Sequence, residues 1–264
     1  MDSSFYLRSE LLGRAGFAHA FFTRRGGVSS GPFSSLNLSL AVGDRAEDVA
    51  ENRWRAAAVL GVAADAILVP RQVHERGVIM ASGSSIAAEV EGTSADAIVS
   101  DGPGVACAVR TADCVPLLLA DQQTRRVAAV HAGWRGVVKG VVPAALEVMM
   151  AHGSRPEHVL VAIGPHISPL AFEIGVEVAE ELERASATRG GVIARPGHKP
   201  HADLRAILGA QLDALGVPTQ NIEALPGCTF SDPVSFYSYR RDGPRSGRQL
   251  SAIVSEAIVP RGVS

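Results

Sequence analysis

Aromatic residues are scarce in this chain: 8 Phe, 3 Tyr and 2 Trp make up 5% of its 264 residues. The core is therefore expected to be built from Ala, Val and Leu, and any grouping of aromatics stands out. Cysteine is scarcer still, with Cys107, Cys114 and Cys228 as the full complement. An odd number of thiols in a chain of this length excludes a disulfide framework and leaves free thiols, core filler or metal ligands. An excess of either charge is also missing: 25 basic against 27 acidic residues give a net charge of −2. That excludes a nucleic-acid binder with a basic surface. No apolar run approaches the roughly 18 residues of a membrane span. Ala15 to Phe22, the one apolar stretch near the start, is interrupted by His19 and has no cleavage-like sequel, so no secretory signal is expected. A cytoplasmic protein with neither membrane nor nucleic-acid partner is the expectation. At 47% apolar and 20% charged residues, the composition is that of a folded chain rather than a disordered one.

What is present is a regular alternation of short elements, without internal repeats or low-complexity tracts. Ala46, Val49, Ala50, Trp54, Ala57 and Leu60 recur at helical spacing between a capping Asp44 and a terminating Gly61. Further helices are predicted over 137–150, 176–184 and 202–215, the last closed by Gly216. Strand-like runs fall at 67–69, 97–99, 105–111, 115–120, 126–130, 159–163 and 251–254. The polar segment Asp121-Gln122-Gln123-Thr124 between two apolar runs reads as a hairpin turn. Antiparallel neighbours here and helix-separated strands elsewhere predict an α+β fold with mixed sheets. No linker divides the chain, so one domain over 1–264 is expected.

Residues with chemistry gather in the turns. Thr23-Arg24-Arg25-Gly26-Gly27 reads either as an anion cradle, with arginine forks beside approachable backbone N–H groups, or as a solvated loop. His74, in Arg71-Gln72-Val73-His74-Glu75, is a ligand or a structural hydrogen-bonder. If the hairpin forms, Cys114 and His131 meet at its open end. Such a pair is either a thiolate nucleophile with its base or two ligands of a metal. Cys107 alternates with Val109 and Thr111 and reads as core. Phe236, Tyr237 and Tyr239 lie beside Arg240 and Arg241, which reads as a stacking platform or as an edge strand with solvated arginines.

Taken together, Gln72-Val73-His74, Thr111-Ala112-Asp113-Cys114, His131-Ala132-Gly133-Trp134-Arg135-Gly136 and Tyr239-Arg240-Arg241-Asp242 resemble one family. It is the bacterial multicopper polyphenol oxidoreductase or laccase-domain family, also known as peptidoglycan editing factor and as purine nucleoside phosphorylase. The resemblance extends to Thr23-Arg24 with Gly26-Gly27-Val28-Ser29, Ser35-Leu36-Asn37-Leu38, Glu51-Asn52-Arg53, Gly164-Pro165, Ala171-Phe172-Glu173 and Cys228-Thr229. It covers nearly the whole chain.

The resemblance implies a four-layer α/β/β/α fold and a metal site made of His74, Cys114 and His131, usually holding zinc, with copper the lesser alternative. Three protein ligands with an open position are the pattern of catalytic rather than structural zinc. The implied reactions are phosphorolysis of adenosine, inosine and methylthioadenosine, and deamination of adenosine, with purine nucleosides and phosphate as partners of a monomer or small homo-oligomer. In this reading Asp113 is the candidate proton shuttle, Arg24, Arg135 and Arg240 are candidate phosphate clamps, and Asn37 orients the nucleoside. Two positions depart from the family pattern. Glu75 stands where glycine usually follows the histidine, with the expectation that it narrows or charges the pocket mouth, and Tyr237 stands where Phe is frequent. An alternative is a cysteine-type amidase that edits peptidoglycan precursors through Cys114 and His131. Multicopper oxidase chemistry ranks below both, since none of the eight histidines forms a His-x-His pair.

Overall fold

The computed structural model describes residues 5–186 and 190–255. Its strands in chain order are β1 Tyr6–Leu7, β2 His19–Phe22, β3 Ile67–Leu68, β4 Val78–Ala81, β5 Ala97–Ser100, β6 Ala106–Thr111 and β7 Val115–Asp121. They continue with β8 Val127–Ala132, β9 Val159–Ile163, β10 Val192–Ile193, β11 His201–Ala202, β12 Ile222–Ala224 and β13 Gln249–Val254. The α-helices are α1 Glu10–Arg14, α2 Ala46–Leu60, α3 Ala87–Gly92, α4 Trp134–Lys139, α5 Val141–Ala151, α6 Val176–Ala185, α7 Leu204–Ala214 and α8 Tyr239–Asp242.

Two mixed sheets carry the architecture. One has the order β1-β2-β13-β6-β3 and the other β12-β9-β7-β8-β5-β4, while β10 and β11 form a small separate pair. Strand alternation sorts the apolar side chains into layers. Leu118, Ala120, Val127 and Ala129 of the second sheet face Cys107, Val109 and Ile253 of the first in one buried cluster between the sheets. Their chain neighbours point outward: Leu117, Leu119, Ala128 and Val130 pack against α5 and α7. Ala106, Ala108, Leu250 and Ala252 pack against Ala56, Ala57 and Leu60 of α2. Covered on both faces, the central strands need continuous apolar runs rather than half-polar ones. Burying a leucine such as Leu118, with none of its surface exposed, contributes about 1.5–3 kcal/mol. The result is the expected four-layer α/β/β/α stack.

The hairpin expected from 121–124 is present, with Val115 paired to Ala132 and Pro116 to His131. The Asp121 carboxylate closes its turn by accepting from the backbone N–H groups of Gln123 and Thr124 at 2.8 and 3.1 Å. Most element ends agree with the sequence reading to within two residues; three readings need correction. Asp44 does not cap α2: that place belongs to Arg45, because the Asp44 carboxylate is drawn to Ser29 Oγ and Asn37 Nδ2 at 2.7 and 2.9 Å. The helix expected over 137–150 is two helices broken at Gly140, whose φ is 77°. Pro143 explains the break: it has no N–H for the Lys139 carbonyl and fits only in a first turn. The last long helix starts at Leu204 rather than 202, since Asp203 caps it by accepting from Ala206 N and His201–Ala202 is paired as strand. Among the described residues, no helix is long and apolar enough to cross a membrane.

Candidate metal centre

At the open end of the β7–β8 hairpin the chain brings His74, Cys114 and His131 together, with their ligand atoms all within 4.8 Å of one another. Cys114 Sγ lies 3.8 Å from His74 Nε2. The two imidazole rings meet edge to face with centroids 4.8 Å apart. Alternation along β8 points His131 into the gap between the sheets, where it is buried; Cys114 is partly exposed and His74 exposed. Among the described residues, no other such group of three His, Cys, Asp or Glu donors occurs.

Asp96, just before β5, organises this centre, and the sequence reading missed it. Fully buried, its carboxylate accepts from the backbone N–H groups of Val73, His74 and Glu75 at 3.1, 2.9 and 2.7 Å. It also takes the Nδ1 hydrogen of His131 at 2.7 Å, leaving His131 Nε2 for the centre. This is the carboxylate–histidine arrangement that fixes ring and tautomer at metal sites. It also holds His74 in the left-handed region, at φ 60°. Desolvation pushes the Asp96 carboxyl up, but His131 and the N–H groups of Glu75 and Val73 reverse this and hold it below its ordinary value. A buried acid at the head of an apolar strand was the available signal.

The donors fit a metal ion. Tetrahedral zinc bonds of ~2.0–2.3 Å place nitrogen and sulfur ligands roughly 3.5 Å apart, close to the observed separation. Gly133 makes room for the group: a Cβ there would stand 2.8 Å from His74 Cδ2 and 3.0 Å from Cys114 Sγ. Two imidazoles and one thiolate suit zinc and can also hold a single copper. Without a metal, desolvation pushes the Cys114 thiol up, and the adjacent His131 and His74 more than reverse this, holding it below its ordinary value. Burial lowers His131, and the Cys114 thiolate and Asp96 carry it above its ordinary value.

The centre opens into a cavity of about 1220 Å³. Six arginines line it, Arg53, Arg71, Arg110, Arg135, Arg240 and Arg248, against the acids Asp65, Glu91 and Asp113. Arg135 lies over Trp134 at 4.4 Å and Arg240 over Phe172 at 5.3 Å. Arg248, absent from the sequence reading, approaches Cys114, Asp113 and Tyr239 closely enough for its charge to interact with them. Only the three-dimensional fold brings this exposed-looking arginine inward.

Several expected residues are placed elsewhere or otherwise engaged. Arg24 does not line the cavity: it donates to the carbonyls of Ser34 and Pro233 and covers the Tyr237 ring at 4.5 Å, beside a separate surface hollow. Asn37 is also outside the cavity and fully buried, with its amide spent on Ser39, Asp44 and the backbone N–H of Arg248. Glu75 pairs with Lys139 and is not part of the cavity wall. Asp113, at φ 96°, accepts from Thr229 Oγ1 at 2.6 Å, Ser238 Oγ at 3.0 Å and Arg240 N at 2.6 Å. The 236–242 segment is neither an edge strand nor a single platform. Tyr237 is buried, Tyr239 is exposed and opens α8, and Arg241 is tied to the carbonyls of Thr229, Phe230 and Phe236. Cys107 is core, its thiol pushed up by complete burial.

Fold and site thus define a four-layer α/β/β/α protein with one His/Cys/His donor group at the mouth between its sheets. The family model described as multi-copper polyphenol oxidoreductase laccase matches residues 18–256, and the chain belongs to that family. A purine nucleoside phosphorylase from Deinococcus radiodurans is 41% identical over 238 residues, covering 89% of this chain and 88% of that one. An adenosine deaminase from an unknown prokaryotic organism is 38% identical over 242 residues, covering 89% and 92%. The crystal structure of YlmD from Geobacillus stearothermophilus superposes with a TM-score of 0.88 at 30% identity, covering 97% of this chain and 98% of that one.

Proposed function

We propose that the chain is a zinc-dependent purine nucleoside enzyme of the cytoplasm, working as one domain over residues 1–264. Its reactions are phosphorolysis of adenosine, inosine and methylthioadenosine, and deamination of adenosine. The observation that carries this reading is the His74–Cys114–His131 group opening into an arginine-rich cavity. The names of the phosphorylase and deaminase relatives support it.

His74, Cys114 and His131 would hold the ion. When bound, zinc with three protein ligands supplies a Lewis acid with an open position. Phe172 and Tyr239, both on the cavity wall, offer faces for a purine. Arg135 and Arg240 present donors to substrate oxygens. Asp113 is a positioning residue: with three hydrogen bonds already accepted, it fixes the backbone at Arg240 rather than shuttling a proton. Oxidation by several coppers has little support from the donors, since a single group is found among the described residues.

The lowered Cys114 thiol beside a raised His131 favours one second reading, the cysteine-type amidase. Product analysis decides between the two. Adenosine, inosine and methylthioadenosine, each with and without phosphate, should yield free base only with phosphate, and adenosine should yield ammonia without it. Neither product, together with Cys114 alkylation that ignores chelator, would establish the amidase instead.

A further inference from the structure

The cavity arginines fall into two groups. Arg248 interacts with Cys114 itself, and Arg135 and Arg240 adjoin the segments that carry the metal donors and Asp113. Arg53 of α2 and Arg110 of β6 form a second group, joined through Glu91 of α3 at 3.4 and 2.5 Å. Two guanidinium groups share one carboxylate there, and Arg71 and Asp65 line the same cavity, so three arginines face two acids. Each side-chain nitrogen of Arg53 makes one hydrogen bond, to Glu91 or to the carbonyls of Ala64 and Ile67. Arg110 makes fewer: it donates only through Nη2 to Glu91, leaving Nη1 without a partner among the described residues, and its Nε is buried and unpartnered. Its side chain remains 21% exposed. Gln72 holds this strand end in place, its amide bonded to both the N–H and the carbonyl of Arg110 at 2.8 and 2.7 Å.

We infer that Arg110, with Arg53 and Arg71 around it, is the seat of inorganic phosphate, separate from the metal centre. The inference rests on the function proposed above and follows from the chemistry of its two reactions. In deamination, water adds at purine C6 and ammonia leaves, so C6 faces the metal donors. In phosphorolysis, a phosphate oxygen bonds to C1′ as the C1′–N9 bond breaks. The electron pair stays with the purine, which takes up the proton that phosphate gives up, and ribose 1-phosphate is formed. C6 and C1′ are four covalent bonds apart, about 5 Å, and an attacking oxygen waits about 3–3.5 Å further on. In a pose that serves both reactions, phosphate therefore sits about 8 Å from C6. An anion on Arg248 would instead crowd the metal centre. Arg110 precedes Cys114 by four residues, so their Cα atoms are at most about 14 Å apart, and both line the one cavity of about 1220 Å³.

Titration of inorganic phosphate into the metal-loaded protein tests the placement without requiring turnover. Arg110→Lys, which keeps the charge and removes the fork, should weaken phosphate binding about tenfold. Glu91→Gln, nearly isosteric, frees both guanidinium groups and should tighten it several-fold. In wild type, phosphate should not compete with adenosine: it should lower ammonia release only by diverting bound adenosine to phosphorolysis, with the loss in ammonia matched by free base. Competitive inhibition of deamination by phosphate, or phosphate binding unmoved by both substitutions, would overturn the placement. A wild type that releases neither ammonia nor free base defeats the functional reading alone, because the phosphate titrations still decide where the anion binds.

Discussion

Asp96 Oδ1 lies 2.7 Å from His131 Nδ1, and the same carboxylate holds the backbone at His74. One buried acid thus orients two of the three metal donors, although it is not a donor itself. Replacing it with Asn keeps the volume but turns one acceptor into a donor facing N–H groups. Asp96→Asn should lower zinc affinity about 10–100-fold, measured by competition with a chromogenic chelator. Unchanged affinity would mean that the ligands hold their own positions.

Gly133 provides a separate test of the close packing around the centre. Its φ of −73° suits alanine, so Gly133→Ala strains only the contacts with His74 and Cys114. Metal content should fall while the metal-free protein unfolds near the wild-type temperature. A fully loaded Gly133→Ala protein would show that the two side chains can step back without losing the ion.

Arg24 and Arg135 should separate cleanly. Arg24→Ala removes two hydrogen bonds to carbonyls and the cover over Tyr237, costing about 1–3 kcal/mol of stability with the phosphate KM unchanged. Arg135→Ala should raise substrate KM and leave unfolding nearly unaltered. Thermal melts beside steady-state kinetics read both, and a phosphate KM raised by Arg24→Ala would return that residue to the site.

Acid should loosen the hairpin that holds Cys114 and His131 together. Burial pushes the Asp121 carboxyl up, but N–H donors from Thr124 and Gln123 reverse this and hold it below its ordinary value. A depressed folded pKa gives stability that is complete above the unfolded value of about 3.9 and lost as pH falls through the folded one. Glu223, also desolvated and held low by Ser9 and the N–H groups of Leu11 and Glu10, acts in the same direction. Melting temperature should be level above about pH 5 and fall below about pH 4, more shallowly in Asp121→Asn. An equally steep fall in that variant would assign the acid sensitivity to other carboxylates.

The legibility of this protein follows from how local each signal is. The 115–132 hairpin could be read because a polar turn between two apolar runs is local information. So could the meeting of Cys114 and His131, which follows from the hairpin. The break at Gly140 was missed because apolar spacing runs straight through it, and only the missing N–H of Pro143 marks it. Asp96 offered only its place at the head of an apolar strand, because its partners lie on two distant segments, 73–75 and His131. Arg24 and Asn37 occur in motifs that suggest a site, yet their hydrogen bonds build the frame. Asn37 reaches the cavity only by fixing the Arg248 backbone.

The three candidate metal donors come from three separate stretches of the chain. Cys114 lies between β6 and β7 and His131 within β8, whereas His74 lies between β3 of the first sheet and β4 of the second, forty positions from Cys114 in the chain. No short peptide of this chain contains all three, so a nascent or partly folded chain offers an ion at best two donors. Under the proposed zinc reading, loading would therefore act as a proofreading event. An ion would then be retained only by molecules in which the 73–75 segment has already docked on Asp96 beside His131, and metal content in a preparation would count that assembled fraction.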